Sequence, residues 1–314
     1  MQKSKVAIIG TGFVGMSYAY ALLNQGAVEE IVLIDINKDK AEGEAMDLNH
    51  GLAFAPRKMN IFAGEYSDVQ DAGLVVITAG VNQKDGESRI ELLSRNAKIV
   101  KAVVNNVMKS GFDGIILVAS NPVDILAYVA WKESGLPSSR VIGSGTSLDS
   151  ARLRYEISKY INIDLRNIHA YILGEHGDSE FVVWSNANVA SKPIIDVINS
   201  MKEISFENLD HIYEDVRNAA KNIIKRKQAT YYGIGMALVR ITQAIFNNEN
   251  RILPISVLNA EAYPCEKDVY IGLPAVLNRD GVHHVVKLEL NVDEKIKLNK
   301  SANILKTNLT NIGY

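Results

Sequence analysis

The sequence predicts an α/β protein, with a doubly wound parallel sheet in residues 1–145 and an α+β arrangement in residues 146–314. Three observations carry this. The first half alternates short β-branched runs with amphipathic stretches. A glycine-rich turn joins its first strand to its first helix. The second half changes to long helical stretches and short strands separated by tight turns.

Val6–Gly10, Ile31–Ile36, Leu74–Ala79, Ile115–Ser120 and Val141–Ser144 are continuous apolar runs, the pattern of parallel strands covered on both faces. Val14–Gln25 reads as a helix ended by Gly26. Arg89–Lys109 carries Ile90, Leu93, Ala97, Val100, Val104 and Val107 at helical spacing. Strand–helix–strand repetition predicts right-handed crossovers and an open sheet. Beyond it, Ala151–Tyr160 reads as a helix, and Ile168–Leu173 and Glu180–Trp184 as strands. Leu209–Asn247 reads as a long helix interrupted near Gly233 and Gly235. Arg251–Leu258, Val269–Val276 and Val285–Leu290 read as antiparallel strands, with Arg279-Asp280-Gly281 as a turn. Glu294–Leu309 closes the chain as an amphipathic helix. With no linker or repeat, the two halves are expected to share one extensive interface.

Composition narrows the function. Lys and Arg number 34 against 36 Asp and Glu, so the net charge of -2 offers nucleic acid little footing. Cys265 is the single cysteine, which excludes an intramolecular disulfide or multi-cysteine metal site and reads as a small, partly buried side chain. His283 and His284 have no acidic partner at ligand spacing, and no metal is expected. No stretch reaches the ~18–20 apolar residues of a membrane span, and Met1 to Lys5 run straight into an apolar strand without a signal peptide. The expectation is a soluble cytoplasmic protein.

Gly10-Thr11-Gly12-Phe13-Val14-Gly15 lies between the first strand and first helix. Gly10 permits the tight turn, Gly12 lets backbone approach a pyrophosphate, and Gly15 lets helix pack on strand. The anion would sit over the helix N-terminus. Asp35 ends the second strand, where it would accept the ribose hydroxyls and repel a 2′-phosphate. The turn therefore predicts a Rossmann half that binds NAD rather than NADP. A phosphate loop ending in Gly-Lys-Ser/Thr is absent.

Three polar clusters stand at or just beyond strand ends, where open α/β sheets bind ligands: Asn121 to Asp124, Leu148 to Arg152, and Gly174 to Asp178. The polar loop Gly80 to Arg89 is a fourth. Reduction of a 2-keto acid needs a proton donor, a cation for the carboxylate and a donor to polarise the carbonyl. Among six histidines, only His176 sits between two glycines with acids close by. Asp149 and Arg152, three apart at a helix start, can project from one end. By itself that pair also fits an ordinary surface ion pair.

The stretches GTGFVG, ITAGVNQKDGESR, ASNPVD, VIGSGTSLDSARLR, HAYILGEHGDSE and ATYYGIG occur in order between residues 10 and 235. Together they make the chain resemble the lactate/malate dehydrogenase family, and within it the bacterial L-lactate dehydrogenases, over essentially its whole length. The resemblance implies that His176 is the acid/base group and that Asp149 fixes its tautomer. It implies that Arg152 grips the substrate carboxylate, Arg89 polarises the carbonyl as the loop closes, and Asn121, Asp124, Gln83 and Thr230 complete the substrate pocket. Besides Gly10, Gly12, Gly15 and Asp35, it assigns cofactor contacts to Val14, Lys40, Tyr66, Gly80, Val81, Ala119, Asn121 and Ser144. Asp85 departs from the proline usual in that loop, which bears on its stiffness.

Malate dehydrogenases of the family carry Arg where this chain has Gln83. A second substrate carboxylate would meet no counter-cation there, so the resemblance implies pyruvate and (S)-lactate as substrates, with a bulkier 2-keto acid as the nearest rival. Arg154 and His169 match the residues with which allosteric relatives bind fructose 1,6-bisphosphate between subunits of a tetramer. Malate dehydrogenase, a nucleotide-binding regulatory protein without turnover, and a structural role are the competing classes. Gln83 argues against the first, and the intact His176, Asp149, Arg152 and Arg89 against the second.

Overall fold

The computed structural model describes residues 4–82, 86–200 and 207–314. Gln83, Lys84 and Asp85, on which the substrate and loop-stiffness readings rest, lie outside the described residues. In the first half the chain runs β1 (Lys5–Ile9), α1 (Phe13–Gln25), β2 (Glu30–Ile34), α2 (Lys38–Gly51), β3 (Asn60–Ala63), β4 (Leu74–Ile77), α3 (Arg89–Lys109), β5 (Ile115–Val118), α4 (Val123–Ser134) and β6 (Val141–Gly143). All six strands are parallel, in the order β3-β2-β1-β4-β5-β6. The strand order reverses between β1 and β4, which opens a crevice at their carboxyl ends. β1, β2, β4, β5 and β6 are buried along their whole lengths, as their unbroken apolar runs demand.

Local chemistry sets the helix ends. Gly26, at φ 56°, terminates α1 in the left-handed region. The Asn37 side chain caps α2, and Ser88 with Glu91 forms a capping box on α3.

The second half continues with α5 (Ser147–Ile161), β7 (Ile168–His169), β8 (Ile172–Leu173), β9 (Phe181–Val182), β10 (Asn188–Val189), β11 (Lys192–Pro193), α6 (Ile194–Ser200), α7 (Glu207–Lys227), α8 (Tyr232–Phe246), β12 (Arg251–Leu258), β13 (Tyr270–Asn278), β14 (Gly281–Val285) and α9 (Val292–Asn311). β12, β13 and β14 are antiparallel and extend the first half's sheet, giving nine strands. The join is the pairing of Ser256 on β12 with Gly143 on β6. One core runs through this sheet and its helices. A smaller one, built on Leu153, Ile157, Ile172, Ile198 and Ile212, holds α5, α6 and α7 together.

Three expectations need correction. The expected strand Ile168–Leu173 is two short strands in separate sheets, β7 paired with β10 and β8 with β9. The long helix breaks between Lys227 and Tyr232, with Gln228 at φ 69°, and not at Gly233 or Gly235. Those glycines serve close packing inside α8: a Cβ on Gly235 would lie 3.0 Å from Ser17 backbone, and one on Gly233 2.9 Å from Leu148. The last strand spans Gly281–Val285, because the Asn278–Gly281 turn starts its pairing at once. The expected segment 285–290 leaves the sheet after Val286, whose N–H still donates to the Pro274 carbonyl at 2.7 Å, and the Leu288 N–H donates to the Tyr263 hydroxyl.

Candidate active site

The glycine turn has the shape of an anion cradle. Gly10 stands at φ 108°, and a Cβ there would meet Ala79 N at 2.7 Å. A Cβ on Gly15 would fall 2.1 Å from the Gly10 carbonyl oxygen, so α1 lies directly on the turn. Around Gly12 nothing comes within 4 Å of where a Cβ would be, and no side chain caps α1 there. Open space over free helix N–H groups suits a pyrophosphate.

Beside it, Asp35 accepts hydrogen bonds from the Thr11 N–H at 2.6 Å, the Thr11 hydroxyl at 2.9 Å and the Asn37 N–H at 2.9 Å. Burial pushes the Asp35 carboxyl up, but these bonds and the Lys40 charge outweigh it and hold it below the usual range. An anion is thus kept at the place where a ribose would lie. Ile36, which the sequence reading did not single out, is fully exposed next to it, an apolar surface suited to an adenine face. Val14 lies half-buried in the first turn of α1. Gly80 and Val81 follow β4, with the Val81 N–H bonded to Asn96 Oδ1 at 3.0 Å. Ala119 and Asn121 follow β5, and Ser144 follows β6, where its N–H donates to the Val118 carbonyl at 2.9 Å. These strand ends therefore converge on the crevice. Tyr66 lies farther out, half-buried beyond β3 and hydrogen-bonded to Asn106.

The second cluster is assembled by α4, α5 and the turn after β8. Asp149 lies in the first turn of α5 with its side chain 3% exposed. Its Oδ2 is 2.6 Å from His176 Nδ1, and its Oδ1 accepts from Arg152 Nη1 at 2.9 Å. The His176 side chain remains 27% exposed, so the ring faces an opening. The other five histidines are exposed.

The turn carrying His176 is pinned on several sides. Gly174, at φ 98°, exchanges backbone hydrogen bonds with Gly272 on β13. The His176 N–H donates to Asp124 Oδ2 at 2.8 Å, and the Glu175 N–H to Ser301 Oγ on α9 at 2.6 Å. Asp124 Oδ1 accepts from Ser256 at 2.5 Å. Asp124 was expected in the substrate pocket; its carboxylate is instead buried beneath the turn, with both oxygens spent on positioning His176 and β12.

Burial alone would lower the His176 pKa, but the charge and hydrogen bond of Asp149 raise it to about 9. Burial pushes Asp149 upward, and His176 and Arg152 together hold it below the usual carboxylate range. The result is an imidazolium–carboxylate pair beside a guanidinium. Arg89, at the start of α3, is 87% exposed and lies 3.3 Å from Asp178. Thr230 sits half-buried in the break between α7 and α8. One neighbour of the pair escaped the sequence reading: Glu180, buried four residues after His176, which in a one-dimensional pattern looks like any surface acid.

Comparisons with known proteins agree with this geometry. The NAD binding domain of lactate/malate dehydrogenase matches residues 4–143, and the family's alpha/beta C-terminal domain matches residues 146–313. The chain is 55% identical to L-lactate dehydrogenase 2 of Bacillus cereus over 303 residues, 96% of each chain. Among solved structures it is similar to a lactate dehydrogenase enzyme from a Medee basin deep-sea metagenome library, at 76% identity and TM-score 0.99 over 100% of both chains. It also matches the ligands-bound minor L-lactate dehydrogenase of Enterococcus mundtii, at 48% identity and TM-score 0.96, covering 99% of this chain and 98% of that one. With a cradle that fits NAD and a domain match on each side of residue 145, the chain belongs to the lactate/malate dehydrogenase family, whose members are NAD-dependent oxidoreductases.

Proposed function

We propose that this chain catalyses the reversible reduction of pyruvate to (S)-lactate. The observation that carries the proposal is the His176–Asp149–Arg152 constellation, in which a charged imidazole and a guanidinium share one buried carboxylate. When bound, NADH supplies the hydride. His176 donates its proton to the carbonyl oxygen from the ring nitrogen opposite the one bonded to Asp149. Asp149 fixes that tautomer and stabilises the imidazolium. A guanidinium has five donors, so one bond to Asp149 leaves Arg152 able to grip the substrate carboxylate bidentately. Arg89, released from Asp178, polarises the carbonyl, while Asn121 and Thr230 line the pocket.

Gln83 selects the substrate from its identity alone. Oxaloacetate would bring a second carboxylate beside an uncharged amide, and an unpaired buried charge costs several kcal/mol. The test follows NADH absorbance and compares kcat/KM for pyruvate and oxaloacetate. A large pyruvate preference supports this reading; a preference for oxaloacetate, or no turnover with either, overturns it.

A second reading concerns regulation and assembly. Burial lowers the pKa of Arg154 on α5, the nearby Arg251 cation adds to this, and His169 is exposed on β7. An arginine held beside a second cation favours a phosphate, so fructose 1,6-bisphosphate is proposed as an effector at Arg154 and His169. Tyr20 on α1, Met46 on α2 and Met236 on α8 expose apolar side chains on helices that pack on one another. That surface suits a second copy of the chain, as a homotetramer would require.

A further inference from the structure

Glu180 is 6% exposed and anchored by its backbone: its N–H donates to the Gly177 carbonyl, and its carbonyl accepts the Tyr213 hydroxyl from α7. One Glu180 carboxylate oxygen, one His176 ring nitrogen and one Asp149 carboxylate oxygen all lie within 4.8 Å of one another. Orienting the imidazole needs one carboxylate, and Asp149 supplies it through the 2.6 Å bond. A second buried carboxyl here adds, once ionised, negative potential and no orientation. Burying it without such a gain would be costly.

We propose that Glu180 is a positioning residue for the proton: once ionised, its carboxylate acts through His176 and extends to higher pH the range in which the imidazole stays charged and able to donate. The proposal rests on His176 being the proton carrier.

The surrounding charges set its working range. Asp149 and Arg152 face the imidazole from α5, Asp124 from α4, Arg217 and Tyr213 face Glu180 from α7, and Glu175 and Asp178 flank His176 on its own turn, Asp178 paired with Arg89 of α3. Burial first and the Asp149 charge second raise the Glu180 pKa to about 8, against the pull of His176, Arg152 and Arg217. With His176 at about 9, Glu180 ionises first on raising pH. Its new charge then delays loss of the imidazolium proton. For unit charges this close at an effective dielectric of about 20 to 40, the delay is on the order of one to two and a half pH units.

The test uses the full-length protein with Glu180→Gln and Glu180→Asp. The pH dependence of kcat/KM for pyruvate is measured, together with the titration of the His176 ring by NMR, its resonance assigned through His176→Gln. Glu180→Gln should move both the alkaline limb and the ring titration down by about one unit, a loss of pyruvate reduction that approaches tenfold above the original midpoint. At neutral pH, where the Glu180 carboxyl is still mostly protonated, Glu180→Gln should change neither direction, and Glu180→Asp should keep most of the original profile. An unchanged ring titration in Glu180→Gln overturns the proposal. If no variant folds, the unmodified protein decides: its His176 resonance should report two ionisations, and a single step overturns the proposal. Full activity of His176→Gln would overturn the proton-carrier reading itself, a result distinct from a failure of Glu180 alone.

Discussion

An imidazole half-buried in protein ordinarily loses its charge, and here one carboxylate reverses that outcome. Asp149 keeps His176 protonated up to about pH 9, so pyruvate reduction should persist into the alkaline range and fall as pH rises through that value. Lactate oxidation, which needs the neutral ring, should run the opposite way. Asp149→Asn removes the charge and leaves burial to dominate. Its alkaline limb should move below about pH 7, with kcat/KM for pyruvate reduced by about 10²- to 10⁴-fold in a pH-rate series. Gln83→Arg should raise the oxaloacetate-to-pyruvate ratio of kcat/KM by roughly 10³-fold, since several kcal/mol convert at about 1.4 per decade. A ratio within threefold of the parent's would show that position 83 does not read the substrate's distal group. Glu180 was illegible at this scale because only the fold carries it into the site; Asp124 was legible as functional but not as buried.

Element by element, the glycine turn separates folding from binding. Gly15→Ala forces a Cβ to 2.1 Å from the Gly10 carbonyl, and thermal unfolding should show a loss of at least about 2 kcal/mol. Gly12→Ala meets no protein atom within 4 Å. Stability should change by less than about 1 kcal/mol while NADH affinity, read by fluorescence titration, falls at least tenfold. Equal stability losses in the two variants would refute the cradle. Five of the six strands of the first half were legible because burial on both faces leaves unbroken apolar runs; β3 was not, since only Ile61 in it is buried. The helix α2 was not, since Ala41, Ala45 and Leu48 are its buried residues and two alanines make a faint stripe. The break before Tyr232 was hidden for another reason: a glycine in a helix reads as a breaker whether it bends the chain or admits a neighbour, and only Ser17 and Leu148 tell which.

At the scale of the molecule, the proposed effector site predicts that Arg154→Gln with His169→Gln abolishes activation by fructose 1,6-bisphosphate and leaves turnover at saturating pyruvate intact. Activation equal to the parent's would remove those residues from the effector site. Light scattering on the same samples should give the mass of four chains. The two-part plan of the sequence was legible, but its consequence for the sheet was not, because pairing of β12 with β6 depends on residues far apart in the chain. The match boundaries fall at residues 143 and 146, yet the sheet continues through that point by way of Gly143 and Ser256. During synthesis β6 must wait roughly 110 residues for its neighbour, on the order of ten seconds at about 5–20 residues per second. Until then the nascent chain carries an open strand edge, a surface that invites pairing with other chains. Residues 1–145 made alone should therefore aggregate, and synthesis of the whole protein should reward any chaperone that shields an edge until the second half arrives.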